Sequence, residues 1–513
     1  MRSFGQRLLT RLRRQTTGGA ENTGPDPLIA AEPTRPTATK AVGAAAAWSV
    51  GNAVTAQAIS MLAFLVTARF ISPEAFGLVA VATLIVELVK RILVEPLATR
   101  LMAMNNPGQH DYDNCFSYTV TLCIFGSLAI LLLGRPLANL VQLPELEVIL
   151  YVMSSMLLAM GLSRTHEVWY AKRYEFRLLA IRSSAAAILG GLTGLTMAVI
   201  GFGYWSLVAQ QLVTSAAAYV LLFIFSKWHP TFTLNVRESF RNFFQVKHFM
   251  LTNVVAFAGV QADVFFVTSS LGPSAGGLYS AAKRLILAAN LIVINSLQAV
   301  ILTSFAERKQ SPRAYQNHLD ALEIFALTIT PLFVGLAILS RDLIGILLSP
   351  VWLASSTILT ALSFASLAGG LASIVTSYLI TSGADWSRTA VIVGTTLVIV
   401  AALPFVAPLG ALTVAWFMVV AAWISMLALS FVAAIQARVS ILKPLQALLL
   451  PAAGAGAMLG LGYFWHLDAT YAFRLLVVPP VLLLVYLCVV AALGFATNAR
   501  AAAHVRRAIS RPG

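Results

Sequence analysis

Lys90 and Arg91, and again Lys283 and Arg284, are adjacent cations set in apolar runs long enough to cross a bilayer. A charge placed there is expensive unless it meets a cavity, a partner or a ligand. An Arg guanidinium grips phosphate oxygens through two parallel hydrogen bonds, while a Lys ammonium attracts them as a point charge. Neighbouring cations of both kinds therefore suit an anionic ligand. Glu87 and Glu95 flank the first pair on the same run; Asn290, Asn295 and Gln298 follow the second. At about 100° per residue, each set of polar residues falls within an arc of about 140°, which gives each helix one polar face.

Two readings of the first set stay open. Glu87 and Arg91 are four apart, as are Arg91 and Glu95, and Lys90 follows Glu87 by three. Pairs along the helix could neutralise all of them; otherwise the face lines a cavity. The second run has no nearby acid. Asp263, on the apolar run before it, is the best-placed partner for Lys283 and Arg284, and an anionic ligand is the other explanation. The candidate binding residues are thus Lys90, Arg91, Lys283 and Arg284, with Glu87, Glu95, Asp263, Asn290 and Asn295 tuning the charge and polarity of a cavity. Gln57, Asn52, Asn253, Gln261, Gln210 and Gln211 read as hydrogen-bonding links between helices. Arg182 reads as a snorkelling cation near a span end.

Catalysis finds no support. The sequence has no Gly-rich phosphate loop with a Lys, no His pair on one helix face and no nucleophile elbow. Cys115, Cys123 and Cys488 lack ligand spacing and read as small apolar residues. No cofactor or metal is expected.

The elements that must hold these residues are membrane helices. Of 513 residues, 58% are hydrophobic and only 11% charged, with mean hydropathy +0.82. A soluble domain carries about 25% charged residues. The apolar runs are long rather than alternating, so the expected fold is an all-α integral membrane protein with about fourteen transmembrane helices of roughly 20 residues each. The first spans about 44–69 and the last about 473–494. Lys and Arg alternate between the loops, as the positive-inside rule requires, with both termini cytoplasmic. The net charge of +15 is then topology and not a nucleic-acid patch.

A repeat organises the spans. Ile71-Ser72-Pro73-Glu74-Ala75-Phe76-Gly77-Leu78 is echoed two hundred positions later, without a gap, by Leu271-Gly272-Pro273-Ser274-Ala275-Gly276-Gly277-Leu278. Each copy separates two apolar runs at the same place in the series. The expected layout is a basic cytoplasmic tail over 1–43, a six-helix lobe over 44–226, and a cytoplasmic amphipathic connector over 227–247. A second six-helix lobe follows over 248–434, then two further helices over 435–494 and a basic tail over 495–513. Repeats of this kind place ligand sites at their interface.

The run Ala68-Arg69-Phe70-Ile71-Ser72-Pro73-Glu74-Ala75-Phe76-Gly77 resembles the start of Wzx-type polysaccharide transporters, flippases of the multidrug/oligosaccharidyl-lipid/polysaccharide superfamily. Gly277-Leu278-Tyr279-Ser280-Ala281-Ala282-Lys283-Arg284-Leu285 is similar to that family's segment after the mid-chain turn. Pro350-Val351-Trp352, with 355–362, is a third, weaker match. The resemblance covers about residues 45–440. It implies a two-lobed bundle around a cationic cavity, moving an undecaprenyl-pyrophosphate-linked oligosaccharide between leaflets of a bacterial inner membrane by alternating access, with Lys90, Arg91, Lys283 and Arg284 as the positions that could fill the cationic role. Membrane lipids, and polysaccharide polymerase or export proteins, are the implied partners. A cation-coupled drug exporter of the same superfamily and a non-transporting scaffold of a polysaccharide synthase are the alternatives.

Overall fold

Both repeated turns start a helix in the same way. In the first, the Ser72 side chain accepts a hydrogen bond from the Ala75 N–H at 3.3 Å, and Pro73 occupies the first helical turn, where its missing N–H costs nothing. The helix that follows, α2, runs Pro73–Leu93. In the second, Gly272 turns the chain at φ +87°, and α9 runs Pro273–Glu307. The two turns lie against each other. A Cβ on Gly77 would stand 1.8 Å from the Pro273 carbonyl oxygen, and a Cβ on Gly277 would stand 1.8 Å from the Pro73 carbonyl oxygen. Only glycine allows this reciprocal backbone approach, which is how membrane helices gain close packing where lipid is as apolar as their side chains.

A computed structural model describes residues 51, 55–233, 236–307, 314–464 and 471–496. The expected tails over 1–43 and beyond residue 496 lie outside the described residues. Within them the chain is helical, with no strand. The helices are α1 (Thr55–Thr67), α2, α3 (Glu95–Ala103), α4 (Gln109–Val141), α5 (Glu145–Lys172), α6 (Phe176–Ile200) and α7 (Tyr204–Phe225). Then come α8 (Val236–Leu271), α9, α10 (Ala314–Ile338), α11 (Ser340–Leu347), α12 (Ser355–Thr381) and α13 (Asp385–Val406). The last are α14 (Ala411–Gln436), α15 (Leu442–Phe464) and α16 (Tyr471–Ala496). Eleven helices among the described residues are long and apolar enough to cross a membrane, so the expected fourteen is not reached on that measure. The remaining segments include α1, an apolar helix described over thirteen residues, and α2 and α9, which carry the clustered charges.

The span expected over 75–103 is broken. Helix α2 ends at Leu93, Val94 donates its N–H back to Lys90, and α3 starts at Glu95. Pro96 in the first turn of α3 lacks an N–H to continue the ladder, which is why an apolar run that reads as one helix becomes two. In the stretch expected as a surface connector, residues 226–233 are non-helical, and α8 starts at Val236 and runs unbroken to Leu271. Side chains over 236–245 lie outside the described residues. The non-helical part is pinned to α4: the Thr231 hydroxyl and N–H donate to Asp113 at 2.5 and 3.2 Å, and the Thr233 N–H donates to Ser117 Oγ at 2.9 Å. Trp228 packs among Tyr112, Phe116 and His166.

The main core joins both halves of the chain, with Val81, Ala82, Met153, Leu157, Tyr279 and Ile286 all buried. A separate core ties α15 and α16 to α10 through Val334, Met458, Leu482 and Tyr486. The Tyr486 hydroxyl donates to the Leu327 carbonyl at 3.1 Å. Large apolar side chains such as Leu132, Leu140, Phe405 and Leu476 remain exposed, as they must on a surface that meets lipid tails.

Candidate functional site

A cavity of about 420 Å³ opens next to the paired turns. Helices α2 and α7 form one wall and α8 and α9 the other, with Ser60 of α1 between them. The register of the repeat explains which residues reach it. On α2 the lining positions are Phe76, Val79, Ala80, Thr83 and Leu84; on α9 they are Ser280, Lys283, Arg284 and Leu287. These are the i, i+3, i+4, i+7 positions of one helix face. Shifting by the two hundred positions that separate the turns places Thr83 and Leu84 opposite Lys283 and Arg284. The structural counterparts of the second cation pair are therefore Thr83 and Leu84, and Lys90 and Arg91 lie about two turns further along α2.

Lys283 and Arg284 differ in how their charges are met. Lys283 is buried and donates to Asp263 Oδ1 at 2.5 Å and to the Val260 carbonyl. The Tyr279 hydroxyl donates to Asp263 Oδ2 at 2.9 Å, and the Val264 N–H donates to Oδ1 at 2.8 Å. Asp263 is thus fully occupied, and with it Lys283 forms a neutral pair that joins α8 to α9. Arg284 has no carboxylate partner among the described residues. Its guanidinium donates to Ser60 Oγ at 2.9 Å and Ser60 O at 3.4 Å, and stands 4.8 Å from the Phe64 ring centre. It is the net positive charge of the cavity wall, and among the described residues no acid lines the cavity.

The other residues singled out in the sequence lie elsewhere. Lys90 pairs with Glu87 at 2.9 Å, one of the two arrangements expected, while Arg91 is exposed and stands 5.9 Å from the Phe257 ring centre. The i,i+4 pairs of Arg91 with Glu87 and Glu95 do not form. Glu95 instead meets Arg164 of α5 at 2.8 Å, because the break at Val94 puts it at the start of a new helix. Arg164 also holds Glu167 at 2.8 Å, and Glu167 meets Arg182 of α6 at 2.6 Å. Arg182 is therefore an ion-pair partner and not a snorkelling cation. These two acids and two cations make a neutral network across three helices. Asn290 donates to Ser366 Oγ at 3.2 Å, and its buried Oδ1 has no partner among the described residues. The side chains of Asn295 and Gln298, and residue Asn52, lie outside the described residues.

The polar part of the opposite wall comes from residues read in the sequence as helix links. Gln211 does link α7 to α2, donating through Nε2 to Thr83 Oγ1 at 3.0 Å, and it lines the cavity as well. Gln210, Thr214 and Gln261 line it too. The Gln-Gln doublet on an apolar helix was the available signal.

Comparison with known proteins agrees with this architecture. A family model described as "Polysaccharide biosynthesis protein" matches residues 66–357. The succinoglycan biosynthesis transport protein ExoT of Rhizobium meliloti (strain 1021) is 26% identical over 323 residues, which is 62% of this chain and 63% of that protein. The teichuronic acid biosynthesis protein TuaB of Bacillus subtilis (strain 168) is 22% identical over 231 residues, 44% of this chain and 48% of that one. The matches thus span less than two thirds of these relatives. In fold, the chain is similar to the lipid II flippase MurJ in an inward closed conformation, with TM-score 0.66 at 15% identity over 87% of this chain and 98% of that one. It is also similar to an inward-facing multidrug resistance MATE family transporter, with TM-score 0.52 at 14% identity over 76% of this chain and 96% of that one. With more than half of its residues inside the family model, the chain belongs to the polysaccharide biosynthesis protein family, on a helical fold shared with membrane transporters.

Proposed function

We propose that this protein is a flippase, carrying the head group of a lipid-pyrophosphate-linked oligosaccharide across a bacterial inner membrane for polysaccharide assembly. A glycan diphosphate cannot enter hydrocarbon unaided, because its hydroxyls and charges would lose water without replacement. It needs a polar, water-accessible compartment between helices and a cation to meet its phosphates. The observation that carries this reading is Arg284: a guanidinium in a cavity wall, free of any described carboxylate, with the acid-free lining around it. A substrate phosphate is the natural counter-charge, and Arg can donate two parallel N–H bonds to its oxygens. Because the gain is one charge-assisted contact and not a cluster of them, release on the far side remains fast.

The protein acts as a carrier in this reading, not as an enzyme. The paired turns hold one end of the cavity shut, and alternating access separates Gly77 from Gly277 there while the other end closes. The positive-inside pattern puts those turns on the outer face and both termini in the cytoplasm. A drug exporter for cations would need an available acid in the wall, and Asp263 is already held by Lys283, Tyr279 and the Val264 N–H.

The test is flipping of a fluorescent undecaprenyl-pyrophosphate oligosaccharide in proteoliposomes, read by an impermeant quencher. Proteoliposomes should lose label from the inner leaflet much faster than protein-free vesicles. Equal rates would sink the proposal.

A further inference from the structure

The two cavity walls carry different chemistry at equivalent places of the repeat. Where α9 has Lys283 and Arg284, α2 has Thr83 and Leu84, and α7 beside it adds Gln210, Gln211 and Thr214. One wall is cationic; the facing wall is uncharged and rich in groups that both donate and accept hydrogen bonds.

The uncharged wall is built, not incidental. The Thr83 hydroxyl has one proton, and its shortest acceptor is the Val79 carbonyl at 2.7 Å. Thr83 Oγ1 also lies within hydrogen-bond distance of both amide atoms of Gln211, Nε2 at 3.0 Å and Oε1 at 3.2 Å, which orients the amide and leaves its second N–H unspent. Helix α7 lies so close to α6 that a Cβ on Gly190 would stand 1.9 Å from Thr214 Oγ1, and one on Gly194 would stand 2.8 Å from Gln210 Oε1. Those two glycines set the positions of Thr214 and Gln210 in the wall. Gln210 and Gln261 make no side-chain hydrogen bond among the described residues. Across the cavity, the buried Ser280 Oγ has no partner either, in the wall that holds Arg284.

The Gln210 amide, with acceptor and donors free among the described residues, matches two neighbouring sugar hydroxyls, each of which can supply what the amide lacks, and the second N–H of Gln211 adds a donor beside it. We infer that Gln210, Gln211 and Thr83 form a hydroxyl-reading subsite that holds an uncharged sugar ring while Arg284 holds the phosphates. This deepens the flippase reading and rests on it. The subsite sets specificity for the glycan and leaves affinity for the lipid diphosphate unchanged. A site made to bond hydroxyls discriminates strongly against a ligand without them, because its own polar groups are then left unpaired.

The test compares two ligands on purified, folded protein: undecaprenyl-pyrophosphate-linked oligosaccharide isolated from cells lacking this protein, and bare undecaprenyl pyrophosphate. Gln210→Leu, which breaks no described hydrogen bond, and Gln211→Leu are each expected to weaken binding of the first about tenfold and to leave the second within twofold, the size of one lost hydrogen bond. Arg284→Gln is expected to weaken both. If both Gln variants weaken the two ligands equally, or neither, the subsite is wrong while the flippase reading stands. If the wild-type protein binds neither ligand, that reading fails, and the subsite fails with it.

Discussion

Helices α2 and α9 leave matching turns, each with its glycine against the other's proline carbonyl, and then diverge. Helix α2 carries its cations late, as Lys90 and Arg91, with Glu87 one turn before Lys90. Helix α9 carries them about two turns earlier, as Lys283 and Arg284, where the helix faces the cavity. In the first repeat Lys90 is met by Glu87 of its own helix and Arg91 is exposed; in the second Lys283 is met by Asp263 of the neighbouring helix and Arg284 faces the cavity with no described carboxylate partner. What separates a cavity-facing cation from one paired along its own helix is therefore register and the reach of an acid, not the presence of a Lys-Arg doublet.

Substitutions at matched positions can break this contrast. The largest expected effect is at Asp263. Asp263→Ala leaves Lys283 buried without its counter-charge, and truncating one member of a buried pair costs about 3–5 kcal/mol. A fall in thermal midpoint of several degrees in detergent is the expected readout. Next come Gly77→Ala and Gly277→Ala. Each Cβ would collide with a proline carbonyl, an overpacking that costs about 1–3 kcal/mol. Because the collision exists only while the turns touch, an introduced cysteine at Phe70 should label faster with an impermeant thiol reagent in either variant than in a cysteine-only control. Unchanged labelling would remove the turns as a seal. Glu87→Ala should be mild, about 0.2–1 kcal/mol, because that pair is partly exposed and screened. A loss as large as that of Asp263→Ala would erase the distinction between the two repeats.

The smallest effect concerns α11. Asp342 is fully buried, neither carboxylate oxygen has a hydrogen bond among the described residues, and Arg474 stands 3.4 Å away. Burial pushes its carboxyl above the usual Asp value, against the pull of Arg474 and Arg341. A folded-state pKa raised above the unfolded one gives stability that is full below the ordinary Asp pKa and is lost as pH rises through the raised value. Asp342→Asn should therefore remove a gain in stability on acidification, so the variant loses stability more steeply than wild type as pH falls, and should leave neutral-pH stability within about 1 kcal/mol. A shallower acid limb in the variant would reverse this assignment.

Much of this was visible in sequence for identifiable reasons. The turns stood out because Pro and Gly interrupt long apolar runs, and the all-helical membrane fold followed from charge scarcity and run length. Lys283 and Arg284 stood out because α9 has no nearby acid, which also pointed to Asp263 one helix back. The break at Val94 was hidden because the apolar run continues through it, so the cross-helix pairing of Glu95 with Arg164 had no local signature. The cations of α2 drew attention from Thr83 and Leu84, although counting from the turns gives the correct equivalence. Gln210 and Gln211 were legible as helix links, but the cavity they line requires α2 and α7 to be placed against α8 and α9.

The central claim is that the cavity-facing Arg284 acts on the substrate and that the exposed Arg91 does not. Initial flipping rates of a fluorescent undecaprenyl-pyrophosphate oligosaccharide in proteoliposomes, for Arg284→Gln and Arg91→Gln at equal folded yield, test it most directly. The account predicts at least a tenfold loss for Arg284→Gln and a rate within twofold of wild type for Arg91→Gln. Equal rates in the two variants, or an intact rate in Arg284→Gln, would contradict it.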